Sequence, residues 1–305
     1  MPKVSVVMSI YNVQEYLSEA IESILNQTFK DFEFIIINDG SKDGSKKIVR
    51  QYMKKDKRII FIDRKENKGL VYSLNEGISI AKGKYIARMD GDDISLPNRL
   101  ELQVKFLDKN PEVGVVGGHF YVISEKGKYM DVFIVPIEEP IINVWLSVAV
   151  PMAHPSIMVR KAVLNKYNIK YENYIFPVSQ DYHLLLKISK YAKLSNVNEF
   201  ILKLRSRRTS VWHTKTVQSM KKRYILSSMF IKENKLLLEK FYKKVLKLEL
   251  NKGEKFNLMI STFMFALIHN KPKWIFRVLR QYHSKYDIIS FFHILWQHFK
   301  VKLMQ

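Results

Sequence analysis

Apolar residues in the first part of the chain follow two alternating spacings. Continuous apolar runs rich in β-branched residues are typical of buried strands, and they occur at residues 4–10, 32–38, 59–63, 85–89 and 113–116. Between these runs, apolar residues recur at the spacing of helices with one buried face, at residues 15–27, 44–54, 69–81 and 97–107. The alternation predicts an α/β domain with a mostly parallel central sheet and helices on both faces.

The pattern becomes mixed after the fifth predicted strand. Apolar runs at residues 120–123 and 130–135 flank a Glu-Lys-Gly-Lys turn and predict a β-hairpin. Shorter elements follow, alternating between helix and strand, at residues 141–148, 156–159, 180–191 and 200–204. Only helical patterns appear from Thr214 onward, so we expect an α/β domain over residues 1–210 and a basic helical region over residues 211–305.

Polar and acidic residues follow four of the predicted strands. They stand at residues 9–12, 38–41, 63–64 and 90–93. In open α/β sheets, ligands bind in the crevice beyond the carboxyl ends of the strands. We therefore expect these four segments to meet at one edge of the sheet and to form the ligand site.

The segment after the fourth strand carries three carboxylates, those of Asp90, Asp92 and Asp93. These groups repel one another unless a cation lies among them, and Mg²⁺ and Mn²⁺ prefer carboxylate oxygens and bind substrate phosphates. A metal ion here could stabilise a diphosphate as a leaving group. The alternative is an acidic turn that caps the helix after Pro97. We expect Asp90 and Asp92 to bind a metal and Asp93 to act as a cap.

Asp39 follows the second strand, in a loop rich in glycine and serine over residues 38–45. An aspartate at a strand end can accept hydrogen bonds from a nucleotide base or a ribose, and the loop can direct backbone N–H groups toward a ligand. The same residues are also ordinary turn formers. The motif is therefore compatible with nucleotide binding and with a plain turn.

The amino-acid composition excludes several kinds of site and indicates the cellular compartment. The chain has no cysteine, which excludes disulfides, thiolate zinc sites and cysteine nucleophiles. The N-terminal apolar run is short and leads into polar residues, unlike a signal peptide. No stretch reaches the roughly 20 apolar residues that a membrane-spanning helix needs. We therefore expect a cytoplasmic protein that is soluble or peripheral to the membrane.

The net charge of +22 predicts an anionic partner. Residues 215–305 contain 19 Lys and Arg against 5 Asp and Glu. Aromatic residues lie among these cations, which is typical of an amphipathic helix at an anionic membrane surface: Trp274, Phe276, Phe291, Phe292, Trp296 and Phe299. We expect this region to bind the inner membrane surface. The alternatives are a helical bundle that packs on the first domain and a homo-oligomer interface.

Two other function classes fit less well. A nucleic-acid-binding protein would use the basic surface, but no groove-reading motif is present, and the carboxylates at residues 90–93 would repel phosphates in the absence of metal. A nucleotidyltransferase or a Rossmann dehydrogenase usually has a glycine-rich loop after its first strand. Here that position reads Ser-Ile-Tyr-Asn.

The ordered set of motifs resembles the family 2 glycosyltransferases with the GT-A fold, of the type that builds bacterial cell-surface polysaccharides and lipopolysaccharides. The matching segments keep the order and spacing of that family across about residues 1–210, and they lie at residues 4–12, 27–41, 67–78, 81–93, 97–101, 154–156 and 180–182. Any one of these motifs is modest evidence, whereas the ordered set is specific.

The resemblance implies an inverting transfer of a sugar from a nucleotide-diphosphate sugar, UDP rather than GDP, to a hydroxyl of a saccharide or lipid-linked acceptor. Asp181 would be the general base, and Asp90 and Asp92 would bind Mn²⁺ or Mg²⁺. The residues expected at the nucleotide sugar and its acceptor are Ser9, Tyr11, Asn12, Asp39, Asn67, Arg88, Asp90 and His154. From sequence alone, Asp181 also fits a plain helix N-terminal acid and His154 a structural residue.

The chain departs from the family pattern at two positions. The family commonly has an acid before the base, and this chain has Gln180 there. An arginine that some relatives carry near Leu74 is also missing, so Arg88 or Arg64 would contact phosphate instead. Three further arginines fall where the family has a flexible basic segment that folds over the donor phosphates: Arg205, Arg207 and Arg208. A solvated charge run is the alternative for these three.

Overall fold

The computed structural model describes residues 1–147, 149–172 and 180–207, together with residues 227, 230–236, 238–240, 258 and 261. The chain forms two compact units. The first comprises Met1–Val135 and Met152–Trp212, and the second comprises Pro136–Pro151 and His213–Gln305. Arg208 and the aromatic and cationic segments around Trp274 and Trp296 lie outside the described residues.

Four parallel strands of the first unit form one half of its sheet, in the order β3-β2-β1-β4. They are β1 (Val4–Ile10), β2 (Phe32–Asn38), β3 (Ile59–Asp63) and β4 (Tyr85–Asp90). The helices between them are α1 (Gln14–Leu25), α2 (Ser45–Lys55) and α3 (Leu70–Ile80). Strands β1 and β2 are almost fully buried because both faces of this part of the sheet are covered. The predicted α/β architecture is confirmed here.

The other half of the sheet is mixed, and the full order is β3-β2-β1-β4-β8-β6-β9-β5, with β7 paired to β6. Its strands are β5 (Ile94–Ser95), β6 (Val113–Ile123), β7 (Tyr129–Phe133), β8 (Met158–Arg160) and β9 (Lys193–Arg205). The helices of this half are α4 (Arg99–Lys109), α6 (Lys161–Lys166) and α7 (Gln180–Ser189), and His154–Ser156 forms one 3-10 turn.

The second unit contains α5 (Glu139–Leu146), whose apolar face is buried. After this helix, Ser147 makes hydrogen bonds with Ser261 and Ser227. Among the residues that the structure describes, no helix combines the length and the hydrophobicity needed to cross a bilayer.

The predicted strand ends differ from the observed ones where glycine interrupts an apolar run. Residues 113–116 and 120–123 form one strand, β6, which continues through Gly117 and Gly118. Other residues approach the backbone closely at these two positions, so a side chain would not fit there. A Cβ on Gly117 would lie 2.5 Å from the side-chain oxygen of Asn196. The last predicted strand is likewise only the second half of β9, whose first half contains polar residues that hide its pattern.

A buried polar network joins α4 to the tip of β4. Arg99 is fully buried and donates hydrogen bonds to the Arg88 carbonyl (2.7 Å) and to Gln103 Oε1 (3.1 Å). Gln103 in turn donates to the carbonyls of Val116 (3.0 Å) and Ser156 (2.8 Å). Burial and the nearby charge of Arg88 lower the pKa of Arg99 to about 9, so the group stays protonated at neutral pH. The network fixes the strand that leads into the acidic segment.

Candidate active site

The strand register brings the polar segments together at one sheet edge. Ile10 is the partner of Asn38, Asn38 is the partner of Asp63, and Ser9 is the partner of Asp90. All four strands are parallel, so their carboxyl ends share this edge. The predicted convergence of the four strand ends is confirmed.

The three aspartates after β4 form a compact cluster. Oxygen atoms of Asp90, Asp92 and Asp93 all lie within 4.8 Å of one another. Burial, followed by the charge of Asp90, raises the pKa of Asp92 to about 6. Burial and the charges of the other two aspartates also raise the pKa of Asp93 well above its usual value. Carboxylates in this arrangement resist full ionisation unless a positive charge joins them.

Among the described residues, the guanidinium groups of two arginines contact carboxylates of the cluster. Arg88, whose side chain is 6% exposed, donates through Nη1 to Asp90. Burial lowers the pKa of Arg88, but its pairing with Asp90 outweighs this and raises it. Arg207 Nε lies 2.7 Å from Asp92 Oδ2. In the described part of the chain, the buried Nε of Arg88 has no hydrogen-bond acceptor.

The cluster fits a hard divalent cation. Its donor set consists of carboxylate oxygens, which Mg²⁺ and Mn²⁺ prefer. Three such groups lie close enough to share one ion, and burial together with the neighbouring carboxylates raises the pKa values of Asp92 and Asp93. Asp90 and Asp92, the predicted metal ligands, are therefore together, with Asp93 beside them.

The expectation that Asp93 caps the following helix is wrong. Helix α4 has Asn98 at its N-cap position and no side-chain cap. Asp93 instead accepts a hydrogen bond from the Arg205 backbone N–H at 2.7 Å. The pairing of β5 with β9 brings that N–H beside the aspartate. Arg205 is more than a hundred positions away in sequence, so local capping patterns could not reveal this contact.

Asp39 is 2% exposed and its carboxylate accepts three hydrogen bonds. It accepts hydrogen bonds from Arg64 Nη1 (2.7 Å) and from the backbone N–H groups of Lys68 (2.9 Å) and Gly69 (2.8 Å). Arg64 also bonds to Ser73 Oγ (2.9 Å) and pairs with Glu76. The carboxylate therefore has a fixed orientation at the tip of β2. Arg64, considered above as a phosphate contact, is held against Asp39.

The loops after β1 and β2 are joined by side-chain hydrogen bonds. The Asn12 side-chain oxygen accepts the Lys42 N–H at 2.8 Å, and Ser41 Oγ accepts the Asn12 N–H at 3.0 Å. The predicted donor-binding residue Asn12 thus shapes the rim of the site through its amide. Tyr11 beside it is 48% exposed at this rim. Asn67 is exposed, and its side-chain oxygen accepts the Gly69 N–H at 3.0 Å.

His154 belongs to a second polar group that the sequence only partly indicated. Its Nε2 lies 2.7 Å from the Tyr171 hydroxyl. The backbone of Tyr171 is held from both sides by the side chain of Asn75, at 2.8 and 3.0 Å. Burial and the charge of Arg88 lower the pKa of His154 well below its usual value, so this imidazole is neutral at neutral pH.

Tyr171 is the part of this second polar group that the sequence did not indicate. Burial raises the pKa of Tyr171; the charge of Arg88 opposes this, and the charges of Asp181 and Asp90 add to it. Tyr171 was not among the predicted site residues because it lies in a loop without any periodic pattern. Asn75 could have been noticed as a polar residue beside buried positions of a helix.

Asp181 lies in the first turn of α7, as predicted, and its Oδ1 accepts the Tyr182 N–H at 2.7 Å. The neighbouring Gln180, where the family pattern has an acid, has a buried Oε1 without a hydrogen-bond partner among the described residues. Residues 173–179, which lead into this helix, lie outside the described residues.

The sequence matches the model of the family described as glycosyl transferase family 2 over residues 5–167. The chain belongs to this family. A relative from Methanocaldococcus jannaschii, named an uncharacterized glycosyltransferase, is 41% identical over 213 residues, which cover 67% of this chain and 71% of the relative. The predicted family is confirmed, and with it the nature of the protein as a glycosyltransferase.

Solved structures show the fold of this glycosyltransferase. S. aureus TarS in complex with UDP-GlcNAc matches with a TM-score of 0.61 at 17% identity, over 92% of this chain and 81% of TarS. A mannosyltransferase from Pyrobaculum calidifontis in complex with GDP-Man and Mn²⁺ matches with a TM-score of 0.55 at 14% identity, over 95% of this chain and 78% of that one. The likeness to TarS confirms the predicted GT-A fold.

Replacing Tyr171 with phenylalanine in this glycosyltransferase should lower kcat/KM for the acceptor by roughly tenfold, the effect of losing one buried hydrogen bond. The ring and the Asn75 contacts remain, so only the bond to His154 is lost. Steady-state kinetics measure the effect. Tyr85→Phe is the matched control, because Tyr85 is equally buried and its hydroxyl bonds to Asp108 at 2.7 Å. Equal losses in both variants would refute a role for Tyr171 at the site.

Proposed function

We propose that this glycosyltransferase is metal-dependent and inverting, and that it transfers a sugar from a UDP-sugar to a hydroxyl of a saccharide or lipid-linked acceptor in cell-surface glycan synthesis. The observation that carries the proposal is the register of the parallel strands. It puts the oriented carboxylate of Asp39 and the three clustered aspartates of residues 90–93 at the same sheet edge.

The chain offers a separate place for each part of a nucleotide sugar. Asp39, held by Arg64 at the tip of β2, would bind the base or ribose, and Ser9 and Tyr11 border the same edge. Asp90, Asp92 and Asp93 would hold Mn²⁺ or Mg²⁺. When bound, the cation would stabilise the diphosphate as a leaving group by Lewis-acid chemistry. Arg88, with its unpaired Nε, would donate a hydrogen bond to an oxygen of the donor.

Asp181 would act as the general base. A carboxylate in the first turn of a helix is favoured in its charged form by the helix dipole. It would accept the proton of the acceptor hydroxyl while that oxygen attacks the anomeric carbon and the bond to the diphosphate breaks. Attack opposite the leaving group in one displacement inverts the anomeric configuration. His154 and Tyr171, which are joined by a hydrogen bond, would line the acceptor side.

A donor screen tests the proposal. The purified full chain is incubated with UDP-sugars and GDP-sugars in the presence of Mn²⁺, and nucleotide release is measured. Both nucleotides belong in the screen because TarS was crystallised with UDP-GlcNAc and the mannosyltransferase with GDP-Man. We expect release from a UDP-sugar that depends on Mn²⁺ and stops when the metal is chelated. Release that is unchanged by chelation would contradict metal dependence.

The basic surface suggests a nucleic-acid-binding protein as the alternative. Filter binding with and without Mn²⁺ separates the two functions, because salt-sensitive binding of nucleic acid in the absence of metal favours the alternative. The clustered carboxylates of residues 90–93 favour the transferase.

We also propose that residues 215–305 hold the enzyme on the cytoplasmic face of the membrane, where a lipid-linked acceptor would be available. The full chain should pellet with vesicles that contain anionic lipid and not with neutral ones. Changing Lys271, Lys273, Arg277 and Arg280 to glutamine should reduce pelleting at least about tenfold, at roughly 1 kcal/mol per cation. Equal pelleting of this variant and the wild type would exclude a role of these four cations in membrane binding. A matched change of Lys46, Lys47, Arg50 and Lys54 on α2 is the control.

A further inference from the structure

Arg205, at the end of β9, is hydrogen-bonded to the aspartate cluster. The Arg205 backbone N–H donates to Asp93 (2.7 Å), and its Nε donates to the Asp92 carbonyl (2.8 Å). The rest of its guanidinium is 2.9 Å from the Glu125 carbonyl and 2.5 Å from Glu19 Oε2. With a side chain only 3% exposed, Arg205 cannot leave without breaking all of these bonds.

This anchor keeps Arg207 within reach of Asp92, because only one residue separates the two arginines. Arg207 Nε lies 2.7 Å from Asp92 Oδ2, and the two side chains are 24% and 15% exposed. The guanidinium therefore neutralises the carboxylate that we assign to the metal.

A guanidinium held against a carboxylate repels a divalent cation that approaches the same carboxylate. Asp90 offers no alternative for Arg207, because Asp90 is already paired with Arg88. When a cation binds Asp92, the ion pair with Arg207 must open. The side chain is partly exposed, so it can turn outward while Arg205 stays in place.

We propose that Arg207 competes with the divalent cation for Asp92 and thereby sets the metal affinity of the site, with Arg205 as the residue that positions it. The inference rests on the proposed function in one respect, which is that Asp92 binds the metal. In the absence of metal, the guanidinium of Arg207 would be the positive charge at Asp92. In the absence of a diphosphate, a metal ion is therefore bound weakly. A diphosphate raises the affinity because it binds the guanidinium that the metal has displaced from Asp92.

Binding of Mn²⁺ alone to the full chain, measured by the loss of its free EPR signal, tests the proposal. Arg207→Gln should bind Mn²⁺ roughly twofold to fivefold more tightly than the wild type, the scale of one partly exposed ion pair. Arg207→Lys keeps the charge and should stay near the wild-type affinity. With UDP added, the gain of Arg207→Gln should shrink, because the variant lacks the guanidinium that would contact the diphosphate in the wild type.

Arg58→Gln is the matched control. Arg58 Nη2 lies 2.7 Å from Asp56 Oδ2, and these side chains are 27% and 20% exposed, which closely resembles the Arg207 pair. Its Mn²⁺ affinity should equal that of the wild type. If the wild type binds Mn²⁺ and Arg207→Gln binds it equally or more weakly, the competition is refuted while the proposed function stands. If the folded wild type binds no Mn²⁺ with or without UDP, the metal assignment itself falls.

Discussion

Replacing Asp92 with alanine should lower the rate of sugar transfer by at least about a hundredfold, the scale of removing one contact that stabilises the transition state. Asp92 Oδ2 lies 2.7 Å from Arg207 Nε, and Asp92 is the residue that we propose as a metal ligand. Its loss would leave the diphosphate without its main cation contact as negative charge develops on the leaving group. The rate is measured as UDP release under saturating donor and Mn²⁺.

A control variant distinguishes a loss of catalysis from a loss of folding. Asp56→Ala removes a carboxylate of similar exposure that is also paired with an arginine at 2.7 Å, and it should leave the rate unchanged. Thermal unfolding of both variants shows whether either is misfolded. Turnover of Asp92→Ala at the wild-type level would rule out the metal role of this residue.

Replacing Asp181 with asparagine should lower kcat by about a hundredfold to ten-thousandfold, the range of general base catalysis. Asparagine has nearly the same shape and can still accept the Tyr182 N–H, so the start of α7 should be preserved. It cannot accept a proton from the acceptor hydroxyl. The KM for the donor should change little, because Asp181 would act on the acceptor.

A matched control gives a second test of this assignment. Asp56→Asn removes a carboxylate that is paired with Arg58, and it should keep the wild-type kcat. A rise in donor KM with unchanged kcat would instead place Asp181 in donor binding.

The parallel half of the sheet could be predicted from the sequence alone. Val4–Ile10 and Phe32–Asn38 are continuous apolar runs because both faces of these strands are buried, and such runs end where the chain leaves the core. Polar residues directly after the runs had to lie at the carboxyl edge of the sheet. For that reason the positions of Asp39 and Asp90 at one edge could be predicted before any coordinates.

The mixed half could not be predicted as well, because its contacts are long-range. The bond between Arg205 and Asp93 joins residues 112 positions apart, and it reassigns Asp93 from a helix cap to a member of the cluster. The runs at residues 113–116 and 120–123 were predicted as separate strands, whereas they form one strand in which the close approach of β9 requires small residues at Gly117 and Gly118. Local periodicity contains no information about such neighbours.

The partners of the predicted site residues were also beyond the reach of the sequence. Asp39 could be identified as a strand-end carboxylate, but its bond to Arg64 depends on how β3 continues into the next loop. Tyr171 is fixed by Asn75 and His154, which come from different parts of the chain. Sequence motifs thus indicate which groups can perform the chemistry, and packing decides how each is oriented.

The most direct test of the account is a crystal structure of the full chain with Mn²⁺ and UDP, recorded with the anomalous signal of manganese. We expect one manganese peak between the Asp92 carboxylate and the pyrophosphate, with the base or ribose against Asp39. The account would be contradicted by UDP bound with Asp39 and Asp92 on opposite sides of the molecule and no manganese between protein and pyrophosphate.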